Sequence, residues 1–190
     1  MGIFIAGVSC VGKTSIGSIL ASRLGCRFYD LDKEIEGFFK TSIGRLQGKY
    51  LTSESFRHEA AKVLTHILET TENQNFVMAL PPSGLMGGYL QVLKKAEGII
   101  AVLTDAPENI LKRITFYDID SHPIEKQLTG KEKLLFLREI KKDISYFLKS
   151  YDRAHLRIDI SGLSAAEAVE KMHQSLNSFL SDKTTNKLSP

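Results

Sequence analysis

Gly7-Val8-Ser9-Cys10-Val11-Gly12-Lys13-Thr14 is the stretch of this sequence whose residue types and spacing point most directly to chemistry. It fits G-x-x-x-x-G-K-[ST], the pattern of a loop that wraps a polyphosphate. Glycines let the backbone N–H groups turn inward, and the helix that follows adds the partial positive charge of its N-terminus. The expected nucleotide contacts are Gly7, Ser9, Cys10, Val11, Gly12, Lys13, Thr14 and Ser15. The Lys13 ammonium is expected at the β- and γ-phosphates of ATP, and the Thr14 hydroxyl on Mg2+. A G-K-T triplet alone is compatible with a chance glycine turn. The context decides: an apolar run of strand type before it and a helical pattern after it. Cys10 reads as a small residue that fits the loop; a thiol sensitised by the helix N-terminus is the alternative.

Asp30 and Asp32 end the second apolar run. On an extended chain, residues i and i+2 point the same way. At the carboxyl end of a parallel strand they face the ligand crevice. Asp30 would then hold a water of the Mg2+ shell, and Asp32 would accept a hydrogen bond from an acceptor hydroxyl. A helix N-terminus competes with this reading, because Lys33-Glu34-Ile35-Glu36 follows and acidic residues favour first turns. The residues themselves leave both open.

The elements that must position these groups can be read along the chain. Ile3–Ala6, Arg27–Leu31, Phe76–Leu80, Gly98–Leu103 and Leu156–Ile160 are short apolar runs of strand type, suited to burial on both faces of a parallel sheet. Between and after them, Thr14–Leu24, Phe56–Leu68 and Ala165–Leu180 carry apolar residues at helical spacing, and Gly25 stands where a C-cap belongs. Alternating strands and helices predict a parallel α/β sheet with right-handed crossovers. Thr115–Lys133 is polar and reads as a mobile surface segment before a helix starting near Leu134. Residues 181–190 read as a disordered tail.

Composition bounds the rest. The chain has 190 residues, 43% hydrophobic and 25% charged, which suits one ordinary globular domain and excludes global disorder. No apolar run nears the roughly 20 residues of a membrane helix, and Gly2–Val11 does not read as a signal peptide. Cys10 and Cys26 make no disulfide framework or metal site, so a reduced, cytoplasmic protein is expected. The net charge of +3 is too small and scattered to argue for nucleic acid.

At this point a family resemblance emerges. Gly12-Lys13-Thr14-Ser15-Ile16-Gly17, Asp30-Leu31-Asp32-Lys33-Glu34-Ile35-Glu36, Thr41-Ser42-Ile43-Gly44 with Glu54-Ser55-Phe56-Arg57, and Tyr151-Asp152-Arg153-Ala154 resemble segments of the shikimate kinases. The likeness is dense over residues 1–59 and sparser but ordered to about 180. It implies a three-layer α/β P-loop kinase fold: a five-stranded parallel sheet, helices on both faces and a small lid. It implies one domain over 1–180, with a substrate-binding region at about 33–62 and a lid at about 115–131. The implied reaction is Mg-ATP-dependent conversion of shikimate to shikimate 3-phosphate, a step of aromatic amino acid biosynthesis, by a monomer. Carried over residue by residue, Lys13 and Thr14 serve ATP and Mg2+, and Asp30 supports the metal. Asp32 orients or deprotonates the accepting hydroxyl. Arg57 and Arg153 bind the carboxylate, and Arg113 lies near the adenine. Without the resemblance, both Arg57 and Arg153 would pass as ordinary surface arginines.

The sequence also departs from the family. Where shikimate kinases carry a threonine and three glycines after the third strand, this chain has Leu80-Pro81-Pro82-Ser83-Gly84. Two prolines remove two backbone donors and fix φ; Ser83 is the polar side chain left to meet the substrate. The glutamate expected three residues beyond Arg57 is Ala60, with Glu59 beside it. The lid arginine before a proline is His122, the expected third catalytic residue. The ATP side is intact and the acceptor side altered. The leading reading is therefore a kinase of shikimate kinase type. A kinase with a changed acceptor comes second, and a nucleotide-binding homologue without catalysis third.

Overall fold

A computed structural model describes residues 1–186 of the chain. Five strands, β1 (Gly2–Ala6), β2 (Arg27–Asp30), β3 (Phe76–Ala79), β4 (Gly98–Thr104) and β7 (Leu156–Asp159), form one parallel sheet in the order β2-β3-β1-β4-β7. A separate two-stranded antiparallel ribbon pairs β5 (Phe116–Tyr117) with β6 (Pro123–Ile124). The helices are α1 (Lys13–Leu24), α2 (Leu31–Phe39), α3 (Ile43–Gln47), α4 (Ser53–Thr70), α5 (Gly87–Leu93), α6 (Pro107–Lys112), α7 (Gly130–Tyr151) and α8 (Ala165–Asn186). β1, β3 and most of β4 are buried, as near-continuous Val, Ile and Phe runs covered on both faces must be.

Chain order places the site. β1 is central, with β3 on one side and β4 on the other, so the loop leaving β1 opens where the strand order diverges, the usual crevice of open parallel sheets. α1 leaves that loop and lies against β2, close enough at Gly17 that a Cβ there would meet the Phe28 ring at 2.7 Å. That contact brings the end of β2 beside the phosphate loop. Gly25 caps α1 in the left-handed conformation at φ 62°.

Three boundaries differ from expectation. β2 stops at Asp30 and α2 begins at Leu31, so Asp32 stands in a helical first turn, not on an extended strand. Asp30 is the residue before that helix, yet its side chain makes no capping bond. α7 begins at Gly130, four residues before Leu134, because Thr129 and Glu132 close a reciprocal capping box. α8 continues past Leu180 to Asn186, through six of the ten residues of the expected tail; residues 187–190 lie outside the described residues.

Candidate active site

The phosphate loop has the backbone its sequence demands. Gly7 at φ 144° passes so close to β4 that a Cβ would lie 2.7 Å from the Leu103 carbonyl oxygen. Gly12 precedes α1 at φ 111°, and Cys10 holds the left-handed region at φ 58° although it carries a side chain. Lys13 folds back over this loop, its Nζ donating to the Gly7 and Val8 carbonyls at 2.9 Å each. Ser9, Thr14 and Ser15 are exposed at the mouth, and Val11 is buried beneath.

Thr14 and the acidic pair meet here. The Thr14 hydroxyl donates to Asp30 Oδ2 at 2.6 Å. Burial pulls the Lys13 ammonium down to about 8, against the opposing attraction of Asp32 and then Asp30. Burial pushes the Asp32 carboxyl up to about 6, reinforced by Asp30 and opposed by Lys13. Both shifts favour the neutral forms, as desolvation does for an acid and a base alike. The functional and helix-start readings of the pair are thus compatible: α2 begins here and carries Asp32 into the range of Lys13. The donor set also suits magnesium, a hard ion that takes oxygen ligands, since a hydroxyl and a carboxylate oxygen are already in contact.

Arg113 reaches the loop from the end of α6. Its Nε donates to the Cys10 carbonyl at 3.3 Å, and its Nη2 pairs with Asp105. The Asp105 side chain is almost fully covered and also accepts from Ala106 N at 2.7 Å and Asn109 Nδ2 at 2.8 Å. The last residues of β4 and α6 therefore brace one rim of the loop.

On the other side of the crevice, Arg57 is a nearly buried guanidinium, 12% exposed. Its Nη2 donates to Glu54 Oε2 at 2.6 Å and its Nε to the same oxygen at 3.3 Å. The orienting acid is one turn before the arginine, not after it. Glu59, the neighbour of the missing glutamate, instead pairs with Lys62 at 2.8 Å, and Ala60 is fully buried. The Glu54–Arg57 spacing of i, i+3 is a legible helix pair, so the sequence held this signal although the glutamate's role was not read from it.

Gly87 and Gly88 were missed as well. Gly87 has φ 50°, and a Cβ there would lie 2.6 Å from Glu54 Oε1. A Cβ at Gly88 would lie 2.8 Å from His58 Cα and 2.9 Å from the Arg57 carbonyl. The pair lets the start of α5 press onto α4 beside the arginine.

The proline-bearing loop is tied down internally. Leu80 N extends the β3 pairing by donating to Ile5 O at 2.9 Å. The Pro81 carbonyl accepts from Gly84 N at 2.8 Å, and the Ser83 carbonyl from Met86 N at 3.0 Å. Tyr151 Oη, from the end of α7, donates to the Pro82 carbonyl at 3.1 Å. Arg153 follows in the next turn, exposed, with Nη1 3.5 Å from the Leu85 carbonyl. Arg153 and half-buried Ser83 thus share this loop, while Arg57 belongs to the α4–α5 contact.

The expected lid carries the β5–β6 hairpin. Its tip is held to α2 and α3: Ser42 Oγ donates to the Ile119 carbonyl, Ser121 Oγ to Glu36, and Arg45 forks onto Asp120. Glu36 Oε1 also accepts from Ile43 N at 2.9 Å. His122 is 76% exposed and pairs with Asp118 Oδ2 of the same hairpin at 3.2 Å. Its bonds tie it to the ribbon and not to Lys13.

The shikimate kinase family profile matches residues 9–177. The chain belongs to the shikimate kinase family. It is 27% identical to a shikimate kinase of Chlorobaculum tepidum over 193 aligned positions, spanning 97% of each chain. Among solved structures it is similar to shikimate kinase from Acinetobacter baumannii in complex with shikimate. That pair is 26% identical, covers 99% of this chain and 95% of the other, and has a TM-score of 0.71. The fold of shikimate kinase from Bacteroides thetaiotaomicron covers 93% of this chain and 98% of the other at a TM-score of 0.74 and 21% identity. The family's members are ATP-dependent kinases, and this chain is an enzyme of that type. The three-layer α/β kinase fold read from the sequence is the fold observed. Among the described residues, no helix is long and apolar enough to cross a membrane.

Proposed function

We propose that this protein transfers the γ-phosphoryl group of Mg-ATP to a ring hydroxyl of shikimate. The observation that carries this reading is the cluster of Lys13, Thr14, Asp30 and Asp32 at the carboxyl end of the sheet, together with a largely covered Arg57 held in place by Glu54. The phosphate loop cradles the polyphosphate with its N–H groups. Lys13 exchanges its two carbonyl partners for phosphate oxygens. Thr14 and Asp30 would hold magnesium, which when bound neutralises charge on the β- and γ-phosphates. Arg57, aligned by Glu54 through Nε and Nη2, presents its Nη1 to the substrate carboxylate for a charge-assisted hydrogen bond. Asp32 accepts the hydroxyl proton as the hydroxyl oxygen bonds to the γ-phosphorus and the bond to the β–γ bridging oxygen breaks. The barrier falls mainly through positioning and charge stabilisation.

Within this reading, residues 33–62 form the acceptor region and 115–131 the lid, and the described chain to about 180 is one catalytic domain. Arg113 borders the adenine, Ser83 and Arg153 complete the acceptor wall, and His122 replaces the lid arginine. The enzyme acts as a cytoplasmic monomer without nucleic-acid or membrane partners.

A second reading keeps the kinase and changes the acceptor. Its support is the loop at Pro81 and Pro82, whose two carbonyls are already bonded by Gly84 and Tyr151. A coupled assay with Mg-ATP separates the readings. Turnover of shikimate establishes the first. Turnover of another hydroxy acid or sugar acid with shikimate inert establishes the second. ATP binding with no transfer to any acceptor would leave a nucleotide-binding homologue.

A further inference from the structure

Tyr89, in the first turn of α5, is completely buried, yet its hydroxyl has no hydrogen-bond partner among the described residues. The contrast with Tyr151 is direct: that phenol is also buried, and it donates to the Pro82 carbonyl. A buried hydroxyl without a partner carries its full desolvation penalty, which a phenylalanine of the same shape would avoid. An orphan of this kind asks what its missing partner is.

Its surroundings answer. Gly87 and Gly88 clamp the start of α5 against the Glu54 carboxylate, the Arg57 carbonyl and His58 Cα, so the residue that follows them stands on a helical turn packed against the turn of α4 that carries Arg57. Burial raises the phenol's pKa, the Asp32 carboxylate raises it further, and the Arg57 guanidinium opposes this. The hydroxyl therefore lies in the field of both groups assigned to the acceptor and stays protonated, a donor at every physiological pH. The loop that should supply backbone donors has lost two of them to Pro81 and Pro82.

We infer that the Tyr89 hydroxyl is a substrate contact, donating a hydrogen bond to an oxygen of the hydroxy-carboxylate held between Asp32 and Arg57. It replaces in part the N–H groups that the prolines removed, and it sets which acceptor fits. This inference rests on the proposed kinase reading. It makes Tyr89 a specificity residue that no motif marks, because its role comes from an aromatic on a helix after the loop.

Tyr89→Phe in the full-length protein tests it. The KM for shikimate should rise about tenfold or more, with the KM for Mg-ATP unchanged and the melting temperature equal or higher. Shikimate analogues, each lacking one ring hydroxyl or carrying a carboxamide for the carboxylate, locate the bond. For one of them the wild type and Tyr89→Phe should perform alike. A shikimate KM within twofold of wild type overturns the contact, as does a loss that persists against every analogue or falls equally on Mg-ATP. In each of those cases the kinase reading survives, because the wild type still turns over shikimate. A wild-type protein that neither binds nor phosphorylates shikimate overturns both.

Discussion

The loops after β1 and after β3 leave adjacent strands at the same end of the sheet, yet they solve opposite problems. The first keeps its backbone donors free and positions charged side chains around them: Lys13 rests on its own carbonyls, and Thr14 rests on Asp30. The second has spent its groups on itself, with Pro81, Pro82 and Ser83 carbonyls all bonded within the protein. A polyphosphate is recognised by a field of N–H groups and a cation, which one short motif can supply. An acceptor is recognised by shape and a few converging polar groups, which on the proposed reading come from α2, α4 and α5. On that reading, specificity on this side rests on packing between helices.

The strongest way to break the comparison is at the transfer step, where both sides meet. Lys13→Ala should lower kcat by about 10³-fold, and Asp32→Asn by about 10²–10⁴-fold, each measured in a coupled assay with folding checked by circular dichroism. Mg-ATP binding by calorimetry should survive Asp32→Asn and weaken in Lys13→Ala. Equal loss of nucleotide binding in both variants would show that the two sides are not separable.

Arg57→Ala should raise the acceptor KM by about 10–100-fold through loss of a charge-assisted bond, with the KM for Mg-ATP unchanged. The pH profile sharpens the link between the two sides. Asp32 must be ionised to accept a proton and Lys13 protonated to meet phosphate. Burial raises one pKa to about 6 and lowers the other to about 8. The kcat/KM of the enzyme should thus rise through about pH 6 and fall through about pH 8, a narrow bell. Lys13→Arg should remove the alkaline limb from whatever activity remains. A flat profile from pH 5 to pH 9 would refute the pairing.

Smaller effects test the packing. Gly87→Ala forces a side chain into φ 50° against Glu54. It should cost about 1–3 kcal/mol of stability by urea titration and raise the acceptor KM several-fold as Glu54 releases Arg57. Least of all, Arg45→Ala breaks an exposed pair with Asp120 that solvent screens. It should loosen the hairpin enough to raise acceptor-independent ATP hydrolysis by no more than about fivefold, as water enters a less tightly closed site. An effect larger than Arg57→Ala on acceptor binding would move the specificity from the helices to the hairpin.

The sequence by itself determined the sheet, the phosphate loop and the nucleotide side. These depend on contiguous residues: apolar runs of strand length, glycines at the turns, and a lysine and hydroxyl at the start of a helix. It also marked Asp30, Asp32 and Arg57, although all three needed the family likeness to be more than helix starts or surface charge. Only the tertiary structure decided the acceptor side. Glu54 aligns Arg57 because Gly87 and Gly88 press α5 onto α4; the hairpin is held because Ser42, Glu36 and Arg45 face it; and the Tyr89 hydroxyl is an orphan because of what the packing around it lacks. A local motif records what one segment can bind. Which groups remain unsatisfied is a property of every segment that surrounds them, and no spacing along the chain records that sum.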